Sequence, residues 1–140
     1  MNLFANNSYM VEIEFKLKSA KDFGLKIAQK KDEKDNKKTL QETIVGYDVY
    51  SHQLYIDRKK SGQIIKDNFA SVEKALLKFE DKTLKLKVLV DKLSVEVFAN
   101  DGQIAMTSLI FPDEKANLFS LFTNGGKVKV VSLKITDLSK

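Results

Sequence analysis

The chain has 140 residues, of which 43% are hydrophobic and 31% charged, with a formal net charge of +5. This length predicts one domain of roughly 100 to 200 residues with its own core. No apolar run approaches the about 20 residues that cross a bilayer, and the absence of cysteine excludes disulfides, thiolate metal sites and a cysteine nucleophile.

The positive charge does not indicate a nucleic-acid partner. The basic residues are 23 lysines and one arginine, Arg58, and the lysines are scattered among acidic residues. Phosphate and base recognition relies on arginine forks and on basic clusters interleaved with aromatics, and neither pattern is present. The first ten residues also lack the basic and apolar regions of a secretory signal.

The N-terminal third predicts two strands and a polar loop. Residues 10–17 alternate strictly between apolar and charged side chains, which is typical of a half-buried strand. Residues 23–27 repeat this period after a short polar break, and we expect them to form the second arm of an antiparallel pair. Residues 30–38, KKDEKDNKK, predict a solvated hairpin loop, and their lysines exclude a calcium-binding loop.

The middle of the chain predicts a further hairpin and one ambiguous segment. Strand patterns resume at residues 40–50 and 53–57, joined by a turn at Ser51 and His52. Residues 69–79 fit a helical face as well as a strand, and we favour a strand with an irregular lead-in.

The C-terminal half contains strand patterns throughout. The predicted strands are 84–90, 95–99, 104–111, 118–123 and 128–138. The tripeptide Asn100-Asp101-Gly102 separates two of them, because Asp and Gly tolerate the positive φ of tight turns. Eight or more short strands without a long helix predict an all-β fold, a two-sheet antiparallel β-sandwich of the jelly-roll or concanavalin-like kind. The sandwich spans residues 1–140 as a single domain, with no internal repeat or linker.

Two segments resemble a known family. They are residues 42–62, ETIVGYDVYSHQLYIDRKKSG, and residues 86–112, with VLVDKLSVEVFANDGQIAMTSLIFP at their centre. They are similar to the C-terminal β-sandwich module of glycoside hydrolase family 32, whose members include levanases, exo-inulinases and invertases. Leu93 and Ala99 depart mildly from the family pattern, and the resemblance covers nearly the whole chain.

The resemblance implies that this chain alone is not an enzyme. In the family, the nucleophile and acid belong to a separate five-bladed propeller, in motifs with tryptophan, cysteine and an Arg-Asp-Pro run. This sequence has no tryptophan, no cysteine and one proline, which follows Phe111. The implied role is to support the catalytic propeller of a β-fructosidase, and the parent is expected to be secreted or periplasmic. The alternatives are an autonomous module that binds the terminal fructose of levan or inulin, and a lectin-like sandwich unrelated to fructan.

Five residues are candidate sugar contacts: Glu42, Tyr47, Asp57, Arg58 and Glu96. The lone arginine indicates a position that requires the planar guanidinium group. Its partner would be either sugar hydroxyls or a carboxylate with a structural role. Glu96 is expected to face outward beside Phe98, either as a sugar contact or as a solvated strand residue. Strand tyrosines could offer ring faces to a sugar or pack at the edge of the core. His52 is expected to be solvated, and no metal or cofactor is predicted. A docking module should expose an apolar patch, whereas a binding module should bring the five residues into one polar cleft.

Overall fold

The structure, a computed structural model, describes residues 8–35, 37–62, 72–79, 81–110, 112, 116 and 118–138. These ranges contain ten β-strands and no helix, as the sequence predicts. The strands are β1 (Tyr9–Leu17), β2 (Asp22–Lys31), β3 (Thr39–Asp48), β4 (Gln53–Lys60), β5 (Val72–Leu76), β6 (Thr83–Val90), β7 (Ser94–Ala99), β8 (Ile104–Leu109), β9 (Leu118–Asn124) and β10 (Val128–Asp137).

The strands form two five-stranded sheets. The first sheet has the order β10-β1-β6-β7-β8, and the second has the order β5-β4-β3-β2-β9. Every strand pairing is antiparallel. The predicted two-sheet antiparallel β-sandwich is therefore confirmed.

One apolar core lies between the sheets. It forms because successive side chains of a strand point to opposite faces of the sheet. Every second side chain therefore faces the other sheet, and those between them face outward. The largest fully buried side chains are Tyr47, Phe15, Phe23, Leu25, Ile27, Leu54, Ile56, Leu77, Leu84, Ile110, Val11 and Val45. Burial of a side chain of this size contributes about 1.5–3 kcal/mol relative to leaving it in water.

The predicted pairing of residues 10–17 with residues 23–27 is wrong. β1 pairs with β6 and β10, and β2 pairs with β3 and β9. The chain changes sheet between them, where Ser19 and Ala20 donate their amides to the carbonyl of Lys127. Two consecutive strands with strong apolar faces can bury those faces against each other from opposite sheets, and here they do.

Element bounds differ from the sequence prediction at several ends. β2 extends through Lys31, so the polar loop begins at Asp32 and not at Lys30. β3 ends at Asp48, which leaves Tyr50 in the turn. The ambiguous segment forms β5 over 72–76, and its lead-in at 69–71 lies outside the described residues.

Candidate functional site

Arg58 spans the gap between the sheets at one edge of the sandwich. Its Nη1 donates a 3.0 Å hydrogen bond to the carbonyl oxygen of Leu109, at the end of β8. Its Nη2 lies 3.6 Å from Oε1 of Glu73 on β5. The guanidinium therefore connects β4 to its neighbour in the second sheet and to the edge strand of the first.

Asp57 points away from Arg58, and its carboxylate contacts Lys59 near the end of the same strand. Its Oδ1 accepts a 3.0 Å hydrogen bond from the backbone amide of Lys59, and its Oδ2 lies 3.6 Å from the Lys59 ammonium. Neighbouring residues of a strand face opposite sides, so Asp57 lies on the outer face of the second sheet. It does not orient the arginine beside it.

Tyr47 is a core residue. Its side chain is 1% exposed, and its hydroxyl donates a 2.6 Å hydrogen bond to the carbonyl of Leu77. Its ring lies against Phe23, with centroids 6.0 Å apart, and against Phe79, at 5.0 Å. Burial, and then the charge of Asp48, raise the pKa of its phenol. Because the side chain is almost fully buried, its ring offers no platform for a sugar.

Glu42 belongs to a polar network on the outer face of the second sheet. Its Oε1 accepts a 3.3 Å hydrogen bond from Nε2 of Gln29 and lies 3.9 Å from the Lys26 ammonium. Gln29 is buried and in turn accepts a 2.7 Å hydrogen bond from Ser120 on β9. The Lys26 ammonium also lies 5.6 Å from the centre of the Phe122 ring, within the range of a cation–π contact.

Tyr55 lies on the same face and is one of the strand tyrosines whose rings the sequence offers as possible sugar contacts. Its hydroxyl donates a 2.7 Å hydrogen bond to Oδ1 of Asp22, whose Oδ2 accepts a 3.2 Å bond from Asn124. Its ring crosses the α-carbon of Gly46, where any Cβ would collide with it. Burial, followed by the hydrogen bond to Asp22 and nearby carboxylates, raises the pKa of the phenol strongly. Gly46 stands directly opposite Tyr55 in the strand register. The sequence contains both residues, but their pairing cannot be recognised until the register is known.

Glu96 lies on the opposite side of the molecule. Val95 and Val97 are both fully buried, and Glu96 faces outward from the first sheet, opposite Leu89 and Thr107. The five predicted residues therefore occupy four places. Two share the outer face of the second sheet, one is in the core, one crosses the sandwich edge and one is on the far sheet. They do not form one cleft.

An apolar strip lies at the edge opposite Arg58, where β9 and β10 end the two sheets. We name Leu121, Val130 and Leu133 the seam patch. They stand opposite Leu25, Phe15 and Ile13 respectively in the strand register, so they point toward the core side. They are nevertheless 39%, 38% and 43% exposed.

Metal and membrane features are not found in the described part of the chain. No group of three His, Cys, Asp or Glu residues there could hold a metal ion. His52 is exposed and sits in the turn after β3 with a φ of 55°. No helix among the described residues is long and apolar enough to span a membrane.

The fold and these surfaces define a β-sandwich module with an apolar strip at the edge formed by β9 and β10. A family model for the C-terminal domain of family 32 glycosyl hydrolases matches residues 2–137, and the chain belongs to this family. The predicted resemblance is thereby confirmed.

Individual relatives agree with the family assignment. The chain is 38% identical over 134 residues to a levanase of Bacillus sp. (strain L7), which covers 93% of this chain and 14% of that protein. It is 36% identical to a levanase of Bacillus subtilis, covering 97% of this chain and 20% of that protein. The crystal structure of an exo-inulinase from Aspergillus awamori superposes with a TM-score of 0.84 at 30% identity, covering 96% of this chain and 25% of that one. The chain thus spans a quarter or less of these relatives.

Proposed function

We propose that this chain is a non-catalytic module that packs, through the seam patch, against the catalytic propeller of a glycoside hydrolase acting on β-fructofuranosides. The observation that carries the proposal is the seam patch itself. Core-facing side chains of the inner strands are covered by the opposing sheet, whereas Leu121 on β9 and Val130 and Leu133 on β10 are left partly in water. Covering them would gain about 25 cal/mol for each Å² of apolar surface removed from water.

The size of the relatives supports a partner within the same enzyme. This chain matches 14% and 20% of the two levanases, so most of each relative lies outside the matched region. A module that evolved beside a larger body is expected to keep an apolar surface for it. The seam patch has that character, and it lies where β9 and β10 form the last strands of the two sheets.

The absence of catalysis rests on the roles of the carboxylates. Retaining hydrolysis of a glycoside needs two carboxyl groups about 5–5.5 Å apart that flank the bond. On the outer face of the second sheet, Glu42 is held by Gln29 and Lys26, and Asp22 is held by Tyr55 and Asn124. These contacts favour a structural role for both acids.

The alternative of a single fructose-binding cleft has less support. Its five residues do not share a surface, and the ring of Tyr47 is enclosed by the core. A sugar contact by Glu42, Asp57, Arg58 or Glu96 individually stays a prediction. The docking module is the better account of the exposed surfaces.

A chimera tests the docking proposal. In the levanase of Bacillus sp. (strain L7), the matching part is replaced by this chain, with Leu133→Lys in one version and Thr107→Lys in a control. Thr107 is exposed on the outer face of β8, away from the seam. We expect Leu133→Lys to lower the temperature at which levan hydrolysis is lost, while Thr107→Lys leaves it unchanged.

Two further measurements complete this test. The melting temperature of the isolated chain should change little on Leu133→Lys, because the side chain is already partly in water, and a large drop would mean that the residue only stabilises the module. Equal behaviour of the two chimeras would contradict docking through the seam. The isolated chain should release no fructose from levan, inulin or sucrose, and release would contradict the non-catalytic assignment.

A further inference from the structure

Asn124 and Gly125 form the only Asn-Gly pair of the sequence, and they lie where the chain leaves the second sheet for the first. Asn124 is the last residue of β9, and β10 begins at Val128. Asn124, Gly125 and Gly126 are all exposed, so water reaches this connection. In an Asn-Gly pair the following backbone nitrogen can approach the side-chain amide closely, because glycine has no Cβ to obstruct it.

The backbone amide of Gly125 is able to act as the attacking nitrogen. Among the described residues it donates no hydrogen bond. Its φ is 73°, in the left-handed region that glycine enters without strain. The aliphatic stem of Lys21 runs beside it, since a Cβ placed on Gly125 would lie 2.8 Å from Cδ of Lys21. The positive charge of this lysine favours the deprotonated amide, which is the reactive form.

Asn124 connects the end of β9 to its neighbours through both its side chain and its backbone. Its Nδ2 donates a 3.2 Å hydrogen bond to Oδ2 of Asp22 on β2, and Oδ1 of the same carboxylate accepts a 2.7 Å bond from the Tyr55 hydroxyl. The backbone carbonyl of Asn124 accepts a 2.9 Å hydrogen bond from the amide of Lys21, which directly precedes β2. A chemical change at Asn124 therefore affects two separate contacts of this edge.

We propose that Asn124 is a site of spontaneous deamidation, and that its conversion loosens the β9 edge of the sandwich. The Gly125 nitrogen gives its proton to water and forms a bond to Cγ of Asn124, and the bond from Cγ to Nδ2 breaks as ammonia leaves. Water then opens the resulting cyclic imide at one of its two carbonyl carbons. Opening at Cγ gives aspartate, and opening at the backbone carbonyl carbon gives isoaspartate. The net reaction consumes one water molecule and releases one ammonia molecule.

Either product disrupts the contacts of Asn124. Aspartate replaces the Nδ2 donor by a second carboxylate oxygen beside Asp22, where the like charges repel each other. Isoaspartate carries the main chain through the side-chain carbon, so the former backbone carbonyl becomes a free carboxylate and the acceptor for the Lys21 amide is displaced. This inference does not rest on docking, although the strand that it loosens also contains Leu121 of the seam patch.

Peptide mapping by mass spectrometry tests the reactivity of Asn124. The chain is kept warm in a mildly alkaline buffer, folded in one sample and unfolded by urea in another. We expect Asn124 to convert in the folded sample before any other asparagine, with aspartate and isoaspartate both formed at this position. Asn100 is the internal reference and should remain intact, because it precedes Asp101 and its Oδ1 is held by the Lys85 amide at 3.0 Å.

Variants test the structural effect of the product. Asn124→Asp should lower the melting temperature by roughly 3 °C or more. Adding Asp22→Asn to Asn124→Asp should recover part of this loss, because it removes the repulsion between the two carboxylates. Asn100→Asp is the matched control, since it makes the same chemical change but keeps an acceptor for the Lys85 amide, and its melting temperature should stay within about 1 °C. Asn124→Gln keeps the amide on a longer side chain and should resist conversion.

Three results would overturn the proposal. Conversion of Asn124 in urea but not in the folded chain would mean that the fold protects this residue. Conversion of Asn100 before Asn124 would contradict the reactivity of the Gly125 nitrogen. An Asn124→Asp chain that melts at the same temperature as the unmodified chain would mean that the product leaves the β9 edge intact. None of these results bears on docking, which the chimera tests separately.

Discussion

The Arg58 guanidinium and the Leu109 carbonyl join the two sheets at the edge of the sandwich, 3.0 Å apart between Nη1 and the oxygen. The same guanidinium reaches Glu73 at 3.6 Å. A planar fork with several donors can serve a carbonyl and a carboxylate at once, which a lysine ammonium on a flexible stem does less well. This geometry gives a structural reason for an arginine in a lysine-rich chain.

Replacement of Arg58 should therefore destabilise the fold. We expect Arg58→Ala to lower the free energy of unfolding by about 1–3 kcal/mol, since it leaves Leu109 and Glu73 without this donor. Arg58→Lys should recover only part of the loss. Lys59→Ala is the matched control and should change stability by less than about 0.5 kcal/mol, because the Lys59 side chain is 61% exposed. Urea denaturation measures all three, and equal effects of Arg58→Ala and Lys59→Ala would contradict this role.

Gly46 is required by the ring that lies across it. A Cβ at Gly46 would collide with the Tyr55 side chain, so Gly46→Ala should cost about 1–3 kcal/mol of folding free energy. In the background of Tyr55→Ala the same substitution should cost much less, because the obstacle is gone. A double-mutant cycle by urea denaturation measures the coupling. Additive effects would show that the ring moves aside freely.

Stability should fall in alkaline solution because of buried phenols. Burial raises the pKa of Tyr9 from 10.0 to about 12, and a hydrogen bond with the Ala28 backbone offsets part of this effect. Between these values the unfolded chain loses the proton while the folded chain keeps it, so the stabilisation present below pH 10 is lost as the pH rises toward 12. Tyr9→Phe should flatten the decline of unfolding free energy over this window. An unchanged slope in the variant would contradict the burial of an ionisable phenol at this position.

The sequence predicted the fold class because alternation is a local property. Residues 10–17 show which side chains face the core whichever partner strand they have, and this pattern was confirmed in β1. It does not show which sheet the next strand joins. The spacing predicts a hairpin of β1 and β2, but the two strands lie in different sheets. Their contact is made by the rings of Phe15 and Phe23, whose centroids are 5.0 Å apart across the two layers.

The site was harder to predict because it depends on register and burial. Tyr47 and Tyr55 both lie on strands and look equivalent in sequence, yet one closes the core and the other lies on an outer face. Asp57 and Glu96 are acidic residues on strands of opposite sheets. No local pattern distinguishes these outcomes, since they follow from which residues stand opposite one another.

The measurement that tests docking most directly is hydrogen–deuterium exchange of this module, alone and within the levanase chimera. Docking through the seam predicts slower exchange at 118–124 and 128–137 in the chimera, while 72–76 on the opposite edge of the second sheet keeps its rate. Equal exchange of β9 and β10 in the two settings would contradict the account, because it would mean that nothing covers the seam patch in the larger enzyme.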